Sequence, residues 1–204
     1  MIDFVYWAHK LPHGIEVAEI CGGEDRSPAL WKAMALQLFA EHSDDGWRQI
    51  EHYGNGAPLL VDEENRRVSI THTGRFMAIA MLPPCDKSLG PEFIPGQALG
   101  IDAEKTDRRQ VLNVRDRFLN ESEKKMVAED DLEANVMAWT IKEAVYKAML
   151  TPGLDFRKDI QIISFPDPKS KGKGEAIAIK EGHEVRLTLC SWISEGCLLT
   201  VAYC

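Results

Sequence analysis

The chain contains no apolar run near the roughly 18 residues that a membrane-spanning helix requires, so no bilayer span is read from it. It contains no CxxC pair. Its five cysteines (Cys21, Cys85, Cys190, Cys197 and Cys204) are odd in number and far apart, which speaks against a zinc site or a disulfide framework and leaves reduced thiols as the expectation. It is short of positive charge: 24 lysines and arginines face 32 aspartates and glutamates, a net charge of -8. General nucleic-acid binding needs a basic footprint and is excluded, whereas a small anionic ligand held by a few local cations is not. No GxxxxGK[ST] loop is present, which removes P-loop nucleotide chemistry. The opening residues Met1-Ile2-Asp3-Phe4 show neither the basic start nor the apolar stretch of a secretory signal, so a cytoplasmic location is expected.

What is present is an ordinary globular composition, 45% hydrophobic and 27% charged, over 204 residues. That length suits one sizeable domain or two small packed halves. Phe4 to Trp7 reads as a strand, and Ser27-Pro28 as the start of a helix whose stripe of Leu30, Met34, Leu38 and Phe39 ends near His42. Gly54 to Pro58 is a turn cluster, Val68 to Ile70 a short strand and Phe76 to Leu82 a second apolar run. Residues 83–97 form the richest Pro/Gly stretch and are read as a connector between two halves, 1–90 and 91–204. Ala98 to Asp102 reads as a strand running into acid. Helices are expected over 108–119, 121–129 and Leu132 to Leu150, the last stopped by Thr151-Pro152-Gly153. The final fifty residues alternate like an antiparallel sheet, with Lys169 to Gly174 a basic loop, so the fold class is α+β.

Three places carry chemistry. Asp102 and Glu104 are two apart, which on a strand puts both carboxylates on one face with Cα atoms roughly 6.6 Å apart. Two close carboxylates repel and raise one pKa unless a cation intervenes, and Mg²⁺ favours such oxygen donors together with phosphate oxygens. The same pair also suits a merely charged strand end. On the long helix, Met137, Ile141, Ala144, Val145 and Ala148 form the apolar stripe, with Glu143 and Lys147 together on one flank and Lys142 and Tyr146 on the other. Glu143 can complete a metal site and Lys147 can meet a phosphate, or the two can form a simple i, i+4 pair. Thr71-His72-Thr73-Gly74-Arg75 follows a short strand, with a hydroxyl, an imidazole and a guanidinium suited to phosphate, or to an ordinary exposed turn.

In order and spacing these pieces resemble one family. Gly100-Ile101-Asp102-Ala103-Glu104-Lys105-Thr106, then Arg117-Phe118-Leu119-Asn120-Glu121-Ser122-Glu123, then Trp139-Thr140-Ile141-Lys142-Glu143-Ala144-Val145-Tyr146-Lys147, are similar to the G-[IV]-D-x-E strand, F-x-x-x-E step and W-x-x-K-E-[AS]-x-x-K helix of the 4'-phosphopantetheinyl transferase superfamily. Ile70 to Arg75 resembles the I-S-H-S-G segment of its longer, Sfp-type branch. The resemblance implies a pseudo-dimer of two similar α+β halves, with coenzyme A in the cleft between them and the metal site in the C-terminal half. It implies Mg²⁺ on Asp102, Glu104 and Glu143, and Lys147 on the phosphates or the leaving group. Thr106 and Lys142 are implied as coenzyme contacts, and Thr71, His72 and Arg75 at its phosphate end. Glu123 is implied as the base towards a serine of an apo acyl or peptidyl carrier protein.

The implied reaction transfers 4'-phosphopantetheine to that serine and releases adenosine 3',5'-bisphosphate. It needs no covalent enzyme intermediate, in keeping with the lack of a Ser-His or Cys-His signature. The chain departs from the family where G-K-P is replaced by Gly56-Ala57-Pro58, removing a cation from the nucleotide side. Arg108, Arg109, Arg115, Arg117, Lys124 and Lys125 form a local basic cluster that can meet an acidic carrier. Two halves in one chain imply a monomer. The alternative is an inactive relative that binds coenzyme A or a carrier.

Overall fold

The structure, a computed structural model, describes residues 5–22, 50–60, 66–86, 89–170 and 172–204. The expected helix between Ser27 and His42 lies outside the described residues. The first sheet is antiparallel and four-stranded, in the order β1 (Val5–Lys10), β2 (Glu16–Cys21), β6 (Phe76–Met81), β5 (Val68–Thr73). Beside it β3 (Ile50–His52) and β4 (Pro58–Leu60) pair around the Gly54–Pro58 turn. The second sheet has five antiparallel strands in the order β7 (Leu99–Lys105), β11 (Cys197–Tyr203), β10 (His183–Ser194), β9 (Gly174–Lys180), β8 (Ile160–Ser164). The fold is α+β with antiparallel sheets. Sequence alternation did not single out β2, because Glu16 and Glu19 interrupt it. Glu19 is nevertheless fully buried, and its carboxylate accepts from the Trp192 indole at 2.5 Å.

The two sheets meet through a shared core. Val17, Phe76, Ala78 and Ala80 of the first pack against Leu99, Ile101, Ala103, Leu199 and Val201 of the second. Their edges also meet. The hydroxyls of Ser69 and Thr71, two apart on β5, accept the backbone N–H groups of Ile101 and Ala103 at 3.0 and 3.1 Å. An edge strand carries unpaired backbone groups that must find partners when buried, and here side-chain hydroxyls of the other sheet supply them. Between β6 and β7 the described residues of the Pro/Gly-rich stretch form no helix or strand. Buried Arg67 holds it by donating to the carbonyls of Gly90 and Glu92 at 2.9 and 3.0 Å.

Three helices cover the other face of the second sheet: α1 (Gln110–Phe118), α2 (Glu123–Met126) and α3 (Leu132–Met149). α3 begins where the Asp131 carboxylate accepts from the Ala134 N–H at 3.0 Å, and it ends at Leu150, whose φ of 51° leaves the helical region just before Pro152. Its stripe of Met137, Ile141, Ala144, Val145 and Ala148 is buried as the periodicity predicts. α2 is shorter than the expected 121–129, because Val127 turns into the core and its carbonyl accepts from Arg115 at 2.9 Å.

Candidate active site

Strand alternation sends Leu99, Ile101 and Ala103 into the shared core and leaves Gly100, Asp102 and Glu104 facing α3. Gly100 permits close approach: a Cβ there would strike the Ala144 carbonyl and lie 2.6 Å from the Ala148 nitrogen. With the helix backbone against Gly100, Lys147 falls beside Asp102 and Trp139 beside Glu104.

Asp102 is 6% exposed. Its Oδ1 accepts from the Lys147 ammonium at 2.8 Å and from the Thr71 hydroxyl at 3.2 Å, whereas its Oδ2 is buried without a partner. Lys147 also donates to the Ile101 carbonyl at 3.0 Å, so it is turned to β7 rather than to Glu143. Glu104, likewise buried, accepts at Oε1 from the Trp139 indole at 3.1 Å and from the Arg108 guanidinium. Burial pushes the Asp102 carboxyl above its ordinary range against the pull of Lys147, Thr71 and the Ala103 amide. Burial and the neighbouring Asp102 push Glu143 up as well, opposed by Lys147 and Arg108. Carboxylate repulsion thus enters at Glu143, second to burial, and not at Asp102, which burial alone raises.

His72 is held below its ordinary value, first by partial burial and then by the Lys147 charge, with Asp102 acting the other way. His72, Asp102 and Lys147 therefore share one electrostatic neighbourhood. Two openings flank it. One, about 230 Å³, lies between Gly56, Pro58 and Ser69 on one side and Tyr146, Lys147 and Thr151 on the other. The second, about 560 Å³, is lined by His72, Gly74, Glu104, Lys105 and Arg108.

Other expected residues stand elsewhere. The Thr106 hydroxyl donates to the Gly196 carbonyl at 3.1 Å. Arg75 is exposed at the β5–β6 turn and does not line either opening. Glu123 and Lys142, expected as base and coenzyme contact, are both fully buried and bonded to each other at 2.7 Å. Lys142 also donates to the carbonyls of Phe156 and Ile160, and Glu123 accepts from the backbone N–H groups of Asn120 and Ile162. Burial holds the Lys142 ammonium below its ordinary range, with Glu123 opposing. Neither side chain lines either of the two openings. Within the basic cluster, Arg115 is tied to Asn135 and Val127, and Lys124 to Asp116 and Glu121. Arg109, Arg117 and Lys125 are exposed. Sequence reasoning passed over Ser69, Trp139 and Arg108 as site residues. Trp139 lay within the helix motif, while Ser69 was legible only as a second hydroxyl at i−2 from Thr71.

The donor set suits a hard divalent cation: three carboxylates on adjoining elements, one with a buried oxygen that nothing satisfies. Among the described residues no three His, Cys, Asp or Glu side chains form a metal-sized cluster. Instead Lys147 and Arg108 neutralise Asp102 and Glu104 in turn.

Among curated proteins none matches the chain. The family model of the 4'-phosphopantetheinyl transferase superfamily matches residues 98–199, from the start of β7 into β11, and so spans the acidic strand, the buried Glu123–Lys142 pair and all of α3. The chain belongs to the 4'-phosphopantetheinyl transferase superfamily.

Proposed function

We propose that this chain transfers 4'-phosphopantetheine from coenzyme A to a serine hydroxyl of an apo acyl or peptidyl carrier protein, with Mg²⁺ held by Asp102, Glu104 and Glu143. The observation that carries this is the convergence on Asp102: a lysine from α3 and a threonine from the opposite sheet meet at Oδ1, while Oδ2 stays buried and unpartnered. When bound, the metal supplies charge neutralisation on the pyrophosphate as its P–O bond breaks.

The remaining work falls to the chain. Lys147, lining the 230 Å³ opening, offers an ammonium to the phosphates or to the departing adenosine 3',5'-bisphosphate. Thr71 orients the Asp102 carboxylate, and His72 faces the larger opening beside Lys105, where a phosphate group is met. Thr106 and Arg75 line neither opening. Glu123 and Lys142 enter this reading as the buried pair that ties the 120–123 corner and β8 to α3. The serine oxygen attacks phosphorus and loses its proton to a carboxylate or water at the cleft, and the bisphosphate leaves.

Intact-mass spectrometry of an apo carrier protein incubated with the chain, coenzyme A and Mg²⁺ tests this. A gain of one phosphopantetheine, lost with Glu143→Ala and with a chelator, is the expected result. No gain on acyl and peptidyl carriers alike, with coenzyme A still bound, would identify a non-catalytic relative.

A further inference from the structure

Each of the two β7 carboxylates has a resident cation, but the two cations are held very differently. Lys147 is anchored by the Ile101 carbonyl as well as by Asp102. Arg108 comes from the turn after β7, where its N–H donates to the Lys105 carbonyl at 3.1 Å, and its side chain is 40% exposed against 10% for the Glu104 it caps. Its guanidinium lies 5.9 Å from the Trp139 ring centre, and the Trp139 indole donates to the same Glu104 oxygen. Among the described residues no backbone carbonyl accepts from its guanidinium, and it lines the 560 Å³ opening beside His72 and Lys105.

Charge explains why it is there. Asp102, Glu104 and Glu143 bring three negative charges within one neighbourhood, and Lys147 and Arg108 return two. A divalent ion added to that set leaves it one positive. The same ion with Arg108 withdrawn leaves it neutral. A guanidinium and a metal also compete for the same Glu104 oxygens.

We propose that Arg108 is an exchangeable counter-ion of the metal site: it holds Glu104 while the site is free of metal, and yields it to the incoming divalent cation, turning into the opening lined by His72 and Lys105. The exchange presupposes the metal site proposed above, and it sets metal affinity rather than the chemical step.

The test is titration of the isolated protein with Mn²⁺ alone, following free Mn²⁺ by electron paramagnetic resonance at fixed ionic strength. Arg108→Ala is expected to bind about tenfold more tightly than the unmodified protein, the scale of one charge-assisted contact no longer competing. Lys105→Ala removes the same charge from the same rim without freeing Glu104, and is expected to change affinity by less than about twofold, as a screened surface charge does. Unchanged or weaker binding by Arg108→Ala overturns the exchange, as does an equal gain from Lys105→Ala. A Glu143→Ala variant that binds Mn²⁺ as well as the unmodified protein, or no binding by any variant, overturns the metal site itself and the exchange with it.

Discussion

Lys147 of α3 places its ammonium 2.8 Å from Oδ1 of Asp102, which β7 turns towards the helix between the core residues Ile101 and Ala103. The two are far apart in the chain, and they meet because Gly100 lets the helix backbone settle onto the strand. A partly buried charge pair at the lip of an opening has an orienting role as well as a stabilising one: it fixes which face of the carboxylate is committed and which is free.

Lys147→Ala should lower the transfer rate by at least about 100-fold, as loss of one preorganised cationic donor does. Coenzyme A binding should fall by less than the rate. Single-turnover kinetics beside calorimetric titration separates the two effects, and equal losses in both would mean that Lys147 only binds.

Glu143 gives a pH-dependent stability signature. Its folded-state pKa is raised by burial and by Asp102, so the folded state holds the proton more tightly than the unfolded chain. Its contribution is most favourable below the ordinary carboxylate range and is lost as pH rises through the raised value. Glu143→Gln escapes that loss. At pH 7 without metal its Tm should lie above that of the unmodified protein. The difference should vanish on acidification below about pH 4. A variant no more stable at pH 7 would contradict the electrostatic account.

The buried Glu123–Lys142 pair should behave as structure. Removing one partner leaves an uncompensated interior charge, and Glu123→Ala or Lys142→Ala should each cost about 3–5 kcal/mol in urea unfolding. The double replacement Glu123→Leu with Lys142→Met should recover a large part of that loss. If Glu123→Gln instead kept its stability and abolished transfer with unchanged coenzyme affinity, Glu123 would be restored as the catalytic base.

Carrier docking now has a sharper test than the whole basic cluster allowed. Arg115 and Lys124 are engaged within the fold, whereas Arg117 and Lys125 are exposed. Arg117→Glu with Lys125→Glu should raise the KM for an acidic carrier about tenfold, more at low salt, while sparing coenzyme affinity. Arg115→Glu should lower stability instead, because the Val127 carbonyl and Asn135 lose their donor. Carrier kinetics indifferent to the double reversal would move the docking surface elsewhere.

The sequence by itself determined the pieces whose signals are local. The strand ending at Asp102 and Glu104, the apolar stripe and stop of α3, the turn at Gly54–Pro58 and the antiparallel run of the last fifty residues all follow from periodicity and breakers within a few residues. Tertiary structure alone decided which charges are spoken for. Nothing in a K-E dipeptide says that Lys142 will be buried against Glu123 while Glu143, one residue on, faces Asp102. That follows from a helix packed between the sheet and the β8 region, with about 100° separating adjacent side chains. Nor does a lone Ser69 announce that it completes the backbone pairing of a strand 32 residues later. Such contacts depend on where two sheet edges meet in space, and pairings made across a fold leave no period in the chain that makes them.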